Sequence, residues 1–192
     1  MMSNVAPPRK DKGTPLWLYA LLIGVIALVA IRVWRNVQTG GQPFVGSAAH
    51  EFPNEGVWIN ADKPASLASL RGRVVLMQFS FIGCGYCRKM DPYLSKWHEQ
   101  FAGEGLTIVE VDDGTSDALD AVHWWATNER IQYSVFYDTD GKLTGSYDVR
   151  SFPTLILVGR DGKIAWQDHG WRGEAGIQQL EGEIKKALAA KL

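Results

Sequence analysis

The order of apolar and polar residues divides the chain into an apolar segment, a turn-rich stretch and a long region of alternating patterns. Residues 16–33 contain one charged residue, Arg32, and show no polar face. About 20 helical residues span the hydrocarbon core of a bilayer. The segment therefore predicts a transmembrane anchor over residues 16–35, preceded by a short flank at 1–15. Residues 36–55 contain three glycines and two prolines, which predicts a linker.

A cleaved signal peptide is the alternative interpretation of the apolar segment. Its hydrophobic region would be long for a signal peptide, and residues 28–30 lack the small-x-small pattern of a cleavage site. Residues 47–49 have suitable sizes but lie far beyond the apolar run. An anchor is therefore the prediction.

Residues 56–192 alternate between patterns typical of strands and patterns typical of helices. Short apolar runs predict strands at residues 57–60, 74–81, 107–111, 133–137, 155–158 and 164–167. Longer stretches predict helices from the cysteines to about residue 101, at 116–129 and at 173–192. The Asp161-Gly162 step predicts a hairpin between the last two strands. Together these patterns predict an α/β domain whose mixed sheet is covered by helices on both faces.

Composition and charge argue against several classes of function. The formal net charge is -1, and no dense basic run is interleaved with aromatic residues, so nucleic-acid binding is not predicted. The four histidines are scattered, and there is no second cysteine pair. The sequence therefore predicts no metal site and no bound cofactor.

Both cysteines of the chain lie in one short motif, Cys84-Gly85-Tyr86-Cys87, between a predicted strand and a predicted helix. A disulfide that closes so short a loop stabilises a fold little, so chemistry explains the pair better than scaffolding. Cys84 falls at the helix amino terminus, where free N–H groups and the helix dipole favour a thiolate. Cys87 lies on the same face, within disulfide reach. We expect Cys84 to attack, Gly85 to leave room for the incoming sulfur, and Cys87 to resolve the mixed disulfide.

Two alternatives stay open for the cysteine pair at this stage. The first is a copper site formed by Cys84, Cys87 and His169, since thiolate and imidazole ligands suit copper. The second is a structural disulfide without redox function.

Residues from about 52 to the carboxy terminus resemble the thioredoxin superfamily, specifically its extracytoplasmic TlpA/ResA-like branch. Pro92 stands five residues after Cys87, where thioredoxins carry a helix-kinking proline. The segment Ser151-Phe152-Pro153-Thr154 precedes an apolar strand and resembles the cis-proline loop of the family. The resemblance implies a thioredoxin-like fold in which Pro153 lies opposite the cysteines. It also implies that Phe152, Pro153, Gly85 and Tyr86 contact the substrate chain.

The sequence departs from the family pattern at three positions near the cysteines. Gly83 replaces the usual tryptophan, and Gln78 occupies the position of the buried acid of cytosolic thioredoxins, which removes that proton acceptor. Gly85 replaces the glutamate frequent in ResA-like proteins, and the Gly-Tyr dipeptide resembles periplasmic disulfide isomerases. The resemblance therefore implies the class of reaction but not the direction of electron flow.

The location of the domain follows from redox chemistry more than from charge. Three basic residues precede the apolar segment, Arg9, Lys10 and Lys12, and two lie at its end, Arg32 and Arg35. This small difference in positive charge does not decide the orientation by the positive-inside rule. Disulfides form and persist in oxidising surroundings, which favours a domain outside the cytoplasm. We expect a single-pass protein of the cell (inner) membrane with its catalytic domain on the periplasmic or extracytoplasmic side.

The expected function is exchange of disulfides with protein clients, with the dithiol acting as a reductant. The expected partners are client proteins that carry thiols or disulfides, a redox partner protein, and the membrane. The alternatives are a disulfide oxidase or isomerase, or a copper-binding assembly factor on the same scaffold.

Overall fold

The structure is a computed structural model that describes residues 16–38, 44–61 and 65–191. The chain divides into two units, Met1–Pro43 and Phe44–Leu192. The predicted flank at 1–15 and residues 39–43 of the predicted linker lie outside the described residues.

The apolar segment of the first unit forms one helix, α1 (Leu16–Gln38). Its described apolar side chains are largely exposed; Ile23 is 66% exposed and Leu28 is 67% exposed. Across the described residues, no helix has the length and apolar character that a membrane crossing requires.

The second unit is built on one six-stranded mixed sheet. Its strands are β1 (Val57–Ile59), β2 (Val74–Ser80), β3 (Leu106–Asp113), β4 (Ser134–Asp138), β5 (Thr154–Val158) and β6 (Ile164–His169). Their order across the sheet is β1-β4-β3-β2-β5-β6. The three central strands β2, β3 and β4 are parallel, whereas β1, β5 and β6 run antiparallel to their neighbours.

Helices cover both faces of this sheet, as predicted. They are α2 (Gly85–Phe101), α3 (Leu119–Asn128), α4 (Lys142–Ser146) and α5 (Gly173–Ala189), and a short 3-10 turn, Ala102–Glu104, follows α2. Because side chains alternate along a strand, Leu76 of β2 packs with α2, α3 and α5, whereas Met77 packs with α4 on the opposite face. Every residue of β2 is buried, which explains its continuous apolar run.

The domain begins earlier in the chain than the pattern predicts. The linker was predicted to extend to residue 55, but residues from Phe44 onwards pack against the second unit. Phe52 is only 8% exposed, and Gly46 N–H donates to the carbonyl of Ile164 at 2.8 Å. Apolar residues of this segment are buried or half-buried, but their irregular spacing shows the period of neither a helix nor a strand. The sequence pattern therefore did not distinguish this segment from a linker.

The sheet brings two loops to the same edge. The cysteine loop follows the end of β2 and leads into α2. Strand β5 runs antiparallel to β2, and Thr154 at its start pairs with Phe79 near the end of β2. The residues just before Thr154 therefore lie beside the residues just after Ser80.

Candidate active site

The two cysteines form a disulfide at the amino terminus of α2. Their Cα atoms are 5.2 Å apart, and Cys84 is the N-cap residue of the helix. Its Sγ accepts a hydrogen bond from the backbone N–H of Cys87 at 3.1 Å. Cys84 is 7% exposed, whereas Cys87 is fully buried. Cys84 is therefore the more accessible of the two cysteines, whereas an incoming sulfur cannot reach Cys87.

The rim of the site is open on the side of Gly85 and Tyr86. A Cβ added at Gly85 would meet no atom within 4 Å. The Tyr86 side chain is 55% exposed, and the ammonium group of Lys89 lies 5.0 Å from the centre of its ring. This end of the helix offers an aromatic surface and free space to an incoming chain.

The proline loop lies next to the cysteine loop. The Phe152-Pro153 peptide bond is cis, as the resemblance to the thioredoxin superfamily implied. The ring of Phe152 packs edge-on against Phe81, with centroids 5.3 Å apart, and the Phe81 carbonyl accepts a hydrogen bond from Cys84 N–H at 3.0 Å. The structure thus brings Phe152 and Pro153 to the side of the site formed by residues 81–84.

A buried ion pair that the sequence analysis missed lies behind the cysteines. Glu110 of β3 is fully buried and pairs in register with Gln78 of β2. Its carboxylate accepts hydrogen bonds from Arg88 Nη2 at 2.6 Å, from Tyr133 Oη at 3.2 Å and from Ser80 Oγ. The available signal was a lone acid inside an apolar strand, where an unpaired charge would be costly.

Arg88 joins this pair to a second acid. Its Nη1 lies 3.0 Å from the carboxylate of Asp91, and its guanidinium carbon lies 4.2 Å from the centre of the Trp125 ring. Burial, and next the charge of Glu110, raise the pKa of Asp91 to about 7, although Arg88 lowers it. Burial, and next Glu110, also raise the pKa of Tyr133, so its hydroxyl stays protonated and donates to Glu110.

A second pair of acids supports the loop that precedes Cys84. Asp112 near the end of β3 is 1% exposed. Burial, and next the charge of Asp117, raise the pKa of Asp112 to about 8. The carboxylate of Asp117 accepts a hydrogen bond from the N–H of Ile82 at 2.6 Å. Asp112 is therefore mostly protonated at neutral pH, while Asp117 holds the loop in place.

Asp112→Asn should stabilise the folded protein at neutral and alkaline pH. A raised carboxyl pKa means that the unfolded chain loses this proton near pH 3.8, whereas the folded protein keeps it to about pH 8. Stability therefore falls as pH rises between those values. Asparagine does not titrate, and at pH 7 the gain should be on the order of 2–4 kcal/mol.

The measurement is urea unfolding of both proteins at pH 4, 6 and 8. The stability of the variant relative to the wild type should increase steadily with pH. A difference that is constant across this range would show that Asp112 is already ionised in the folded protein at pH 4, as it is in the unfolded chain.

Metal ligation was the other chemistry considered for the cysteines. Within the part of the chain that the structure describes, no three His, Cys, Asp or Glu side chains are grouped so as to hold a metal ion. The combination of Cys84, Cys87 and His169 is therefore not among the arrangements found there.

Comparison with known proteins places this geometry in a family. The AhpC/TSA family matches residues 45–167, which include both cysteines and the proline loop. The chain belongs to the AhpC/TSA family. The thiol-disulfide oxidoreductase ResA of Bacillus subtilis is 27% identical over 165 residues, which cover 86% of this chain and 90% of that protein. ResA of Bacillus thuringiensis is 31% identical over 136 residues, which cover 71% of this chain and 76% of that protein.

Solved structures agree with this assignment. A Chlorobium tepidum protein described as a thiol:disulfide interchange protein DsbE has a TM-score of 0.65 and 27% identity, covering 76% of this chain and 98% of that one. The thioredoxin domain of a Bacteroides vulgatus thiol-disulfide oxidoreductase has a TM-score of 0.58 and 30% identity, covering 73% of this chain and 97% of that one. The fold is thioredoxin-like, and the protein is a protein-disulfide oxidoreductase of this family.

Proposed function

We propose that the protein reduces disulfides of protein clients outside the cytoplasm, with Cys84 as the nucleophile and Cys87 as the resolving cysteine. The observation that carries the division of labour is the contrast between the two sulfurs. Cys84 caps the helix and is the more exposed of the two, whereas Cys87 is fully buried. The helix amino terminus favours a thiolate at Cys84, which is the attacking species.

The proposed cycle transfers two electrons from the dithiol to the client. The Cys84 thiolate attacks one sulfur of the client disulfide, and the other client sulfur leaves as a thiolate and takes up a proton. Cys87 then loses its proton and attacks Cys84, which releases the second client thiol and leaves the Cys84–Cys87 disulfide. A redox partner protein restores the dithiol for the next cycle.

The buried acids support the direction of electron flow. Asp91 and Glu110 lie behind the start of α2, and Arg88 is the cation that faces both of them. A positive environment stabilises a thiolate and makes a disulfide a strong oxidant. Glu110 balances Arg88, and Asp91, with a pKa of about 7, adds a partial negative charge at neutral pH. A negative environment favours the disulfide form, so the dithiol gives up its electrons more readily.

The reduction potential of the Cys84–Cys87 couple tests this direction. We expect a value near that of thioredoxin, about -270 mV, measured by equilibration with glutathione or dithiothreitol buffers. A potential above about -180 mV, in the range of disulfide isomerases and oxidases, would contradict a reductant role. That outcome would favour the isomerase alternative, for which the open Gly85-Tyr86 rim is the supporting observation.

We also propose that residues 16–35 anchor the protein in the cell membrane, with the catalytic domain on the extracytoplasmic side. The support is the apolar run of residues 16–33, together with the oxidising surroundings that a disulfide requires. The full-length protein should stay in the membrane fraction after washing with alkaline carbonate. A soluble mature protein that begins between residues 32 and 51 would contradict the anchor.

A further inference from the structure

A polar cleft opens between α2 and α3, close to the buried ion pair. Its volume is about 320 Å³, and its walls include Arg88, Asp91, Ser95, Trp125 and Glu129. Among its described lining residues there is none of the four assigned to client contact (Gly85, Tyr86, Phe152 and Pro153). The cleft therefore gives solvent a second route to the start of α2. The residues that line it differ from those that are assigned to client contact.

Asp91 connects this cleft to the resolving cysteine. It follows Cys87 by four residues on α2, so the two side chains lie on the same face, one turn apart. The Asp91 side chain is only 14% exposed, and it lines the cleft. Cys87 itself is fully buried, so its thiol proton has no direct exit to water.

The groups that face Asp91 come from each element packed around it. Arg88 of α2 and the Gln78 amide of β2 lower its pKa, whereas Glu110 of β3 and Glu129 at the end of α3 raise it. Burial is the largest cause, and the balance brings the pKa of Asp91 to about 7. A carboxylate with a pKa near the working pH can both accept and release a proton.

We propose that Asp91 accepts the thiol proton of Cys87 when the mixed disulfide is resolved, and that the cleft between α2 and α3 delivers this proton to solvent. The inference rests on the proposed roles of Cys84 and Cys87. Asp91 on α2 would supply the proton acceptor that Gln78 on β2 cannot provide. No group in this step changes its oxidation state except the sulfurs.

Charge and proton both balance in this step. The Cys87 thiol gives its proton to the Asp91 carboxylate, either directly or through one water molecule, and the resulting thiolate attacks Cys84 Sγ. The Cys84–client bond breaks, and the electron pair leaves with the client sulfur. Asp91 then releases its proton through the cleft, and the client thiolate takes up one from solvent. Arg88 keeps its ion pair with Glu110 throughout, at 2.6 Å, so neutralising Asp91 leaves no unpaired cation.

A separate route for the proton is needed because, in the mixed disulfide, the client covers the side of the site at Gly85 and Tyr86. In the mixed disulfide the client is bonded to Cys84 and lies over the rim, which reduces the access of water there. The cleft between α2 and α3 stays open to solvent, so the proton can leave while the client is still bound.

Asp91→Asn tests the proposal in the full-length protein. The dithiol form is mixed with excess of a peptide disulfide, and quenched samples separate formation of the mixed disulfide from its resolution between pH 5 and 9. In the wild type the resolution rate should rise with an inflection near pH 7. In Asp91→Asn the resolution rate at pH 7 should fall by about tenfold to hundredfold and lose that inflection, whereas mixed-disulfide formation should be unchanged.

Two further variants distinguish proton transfer by Asp91 from a purely structural role. Glu129→Gln should move the inflection to lower pH, because Glu129 raises the pKa of Asp91, and a structural role for Asp91 would not produce this shift. Glu99→Gln replaces an exposed acid of α2 that does not line the cleft, and it should resolve like the wild type. Wild-type resolution with an unchanged pH profile in Asp91→Asn would overturn the inference alone. Absence of any mixed disulfide in the wild type would instead overturn the proposed dithiol cycle.

Discussion

Replacing Cys87 by serine should cause mixed disulfides between Cys84 and client proteins to accumulate. The variant keeps the more exposed sulfur at the helix cap but loses the buried sulfur that resolves the intermediate. Cys84→Ser should form few such complexes, because serine at the cap is a poor nucleophile towards sulfur. Its exchange activity should fall to less than about 1% of the wild-type rate.

The measurement is non-reducing electrophoresis of cells that express each tagged variant, with free thiols blocked during lysis. Complexes that collapse on reduction should be abundant for Cys87→Ser and scarce for Cys84→Ser. The double variant is the matched control, since neither sulfur is then present. Equal trapping by the two single variants would contradict the assigned roles.

The order of elements in the catalytic domain was predictable because its central strands are buried on both faces. A buried strand such as β2 needs a continuous apolar run, and the run at residues 74–81 has the length of a strand. Helix α5 shows the regular spacing of apolar residues that one buried face requires. The site at the end of β2 was predictable for the same reason, since the cysteines directly follow the clearest strand.

Helix α4 was not predicted, because its stability comes from tertiary contacts. It spans only Lys142–Ser146 and begins after Gly141, which has a φ of +68°. The carboxylate of Asp138 accepts hydrogen bonds from the N–H groups of Leu143 and Thr144 at 3.1 and 2.8 Å. The sequence pattern predicted no helix between the strands at 133–137 and 155–158, because a single helical turn has too few residues to show a period.

The buried charges of the site were harder to predict than the cysteines. Gln78 showed that the usual buried acid of the family is absent from β2. The acids of this site are instead Glu110 on β3 and Asp91 on α2. Glu110 and Arg88 are 22 residues apart in the sequence, and only the parallel pairing of β2 with β3 brings the strand bearing Glu110 under the start of α2. Strands that are buried on both faces, such as β2, show no regular alternation of polar and apolar residues, so the sequence does not specify the register between β2 and β3.

Glu110→Ala should lower the free energy of unfolding by about 2–4 kcal/mol, because it breaks a buried ion pair by removing one partner. Arg88 would lose its 2.6 Å contact, and the hydroxyls of Tyr133 and Ser80 would lose their acceptor. The expected effect lies towards the lower end of the range for buried pairs, since the Arg88 side chain is 23% exposed.

Urea unfolding at pH 7 measures this change against a matched surface variant. Glu183→Ala removes an acid paired with Lys186, which is 79% exposed, and it should cost less than about 1 kcal/mol. A loss below about 1 kcal/mol for Glu110→Ala would show that the buried network does not stabilise the fold.

A double variant separates the loss of the pair from the cost of leaving a charge behind. Arg88→Met in the Glu110→Ala background removes the unpaired guanidinium and leaves an unbranched apolar chain beside the Trp125 ring. Since much of the loss in the single variant comes from the uncompensated cation, the double variant should recover part of the stability. The pH profile of mixed-disulfide resolution should change in the same double variant. Asp91 then lacks both Glu110, which raises its pKa, and Arg88, which lowers it. Restored stability with an unchanged pH profile of mixed-disulfide resolution would contradict the assignment of this profile to the pKa of Asp91.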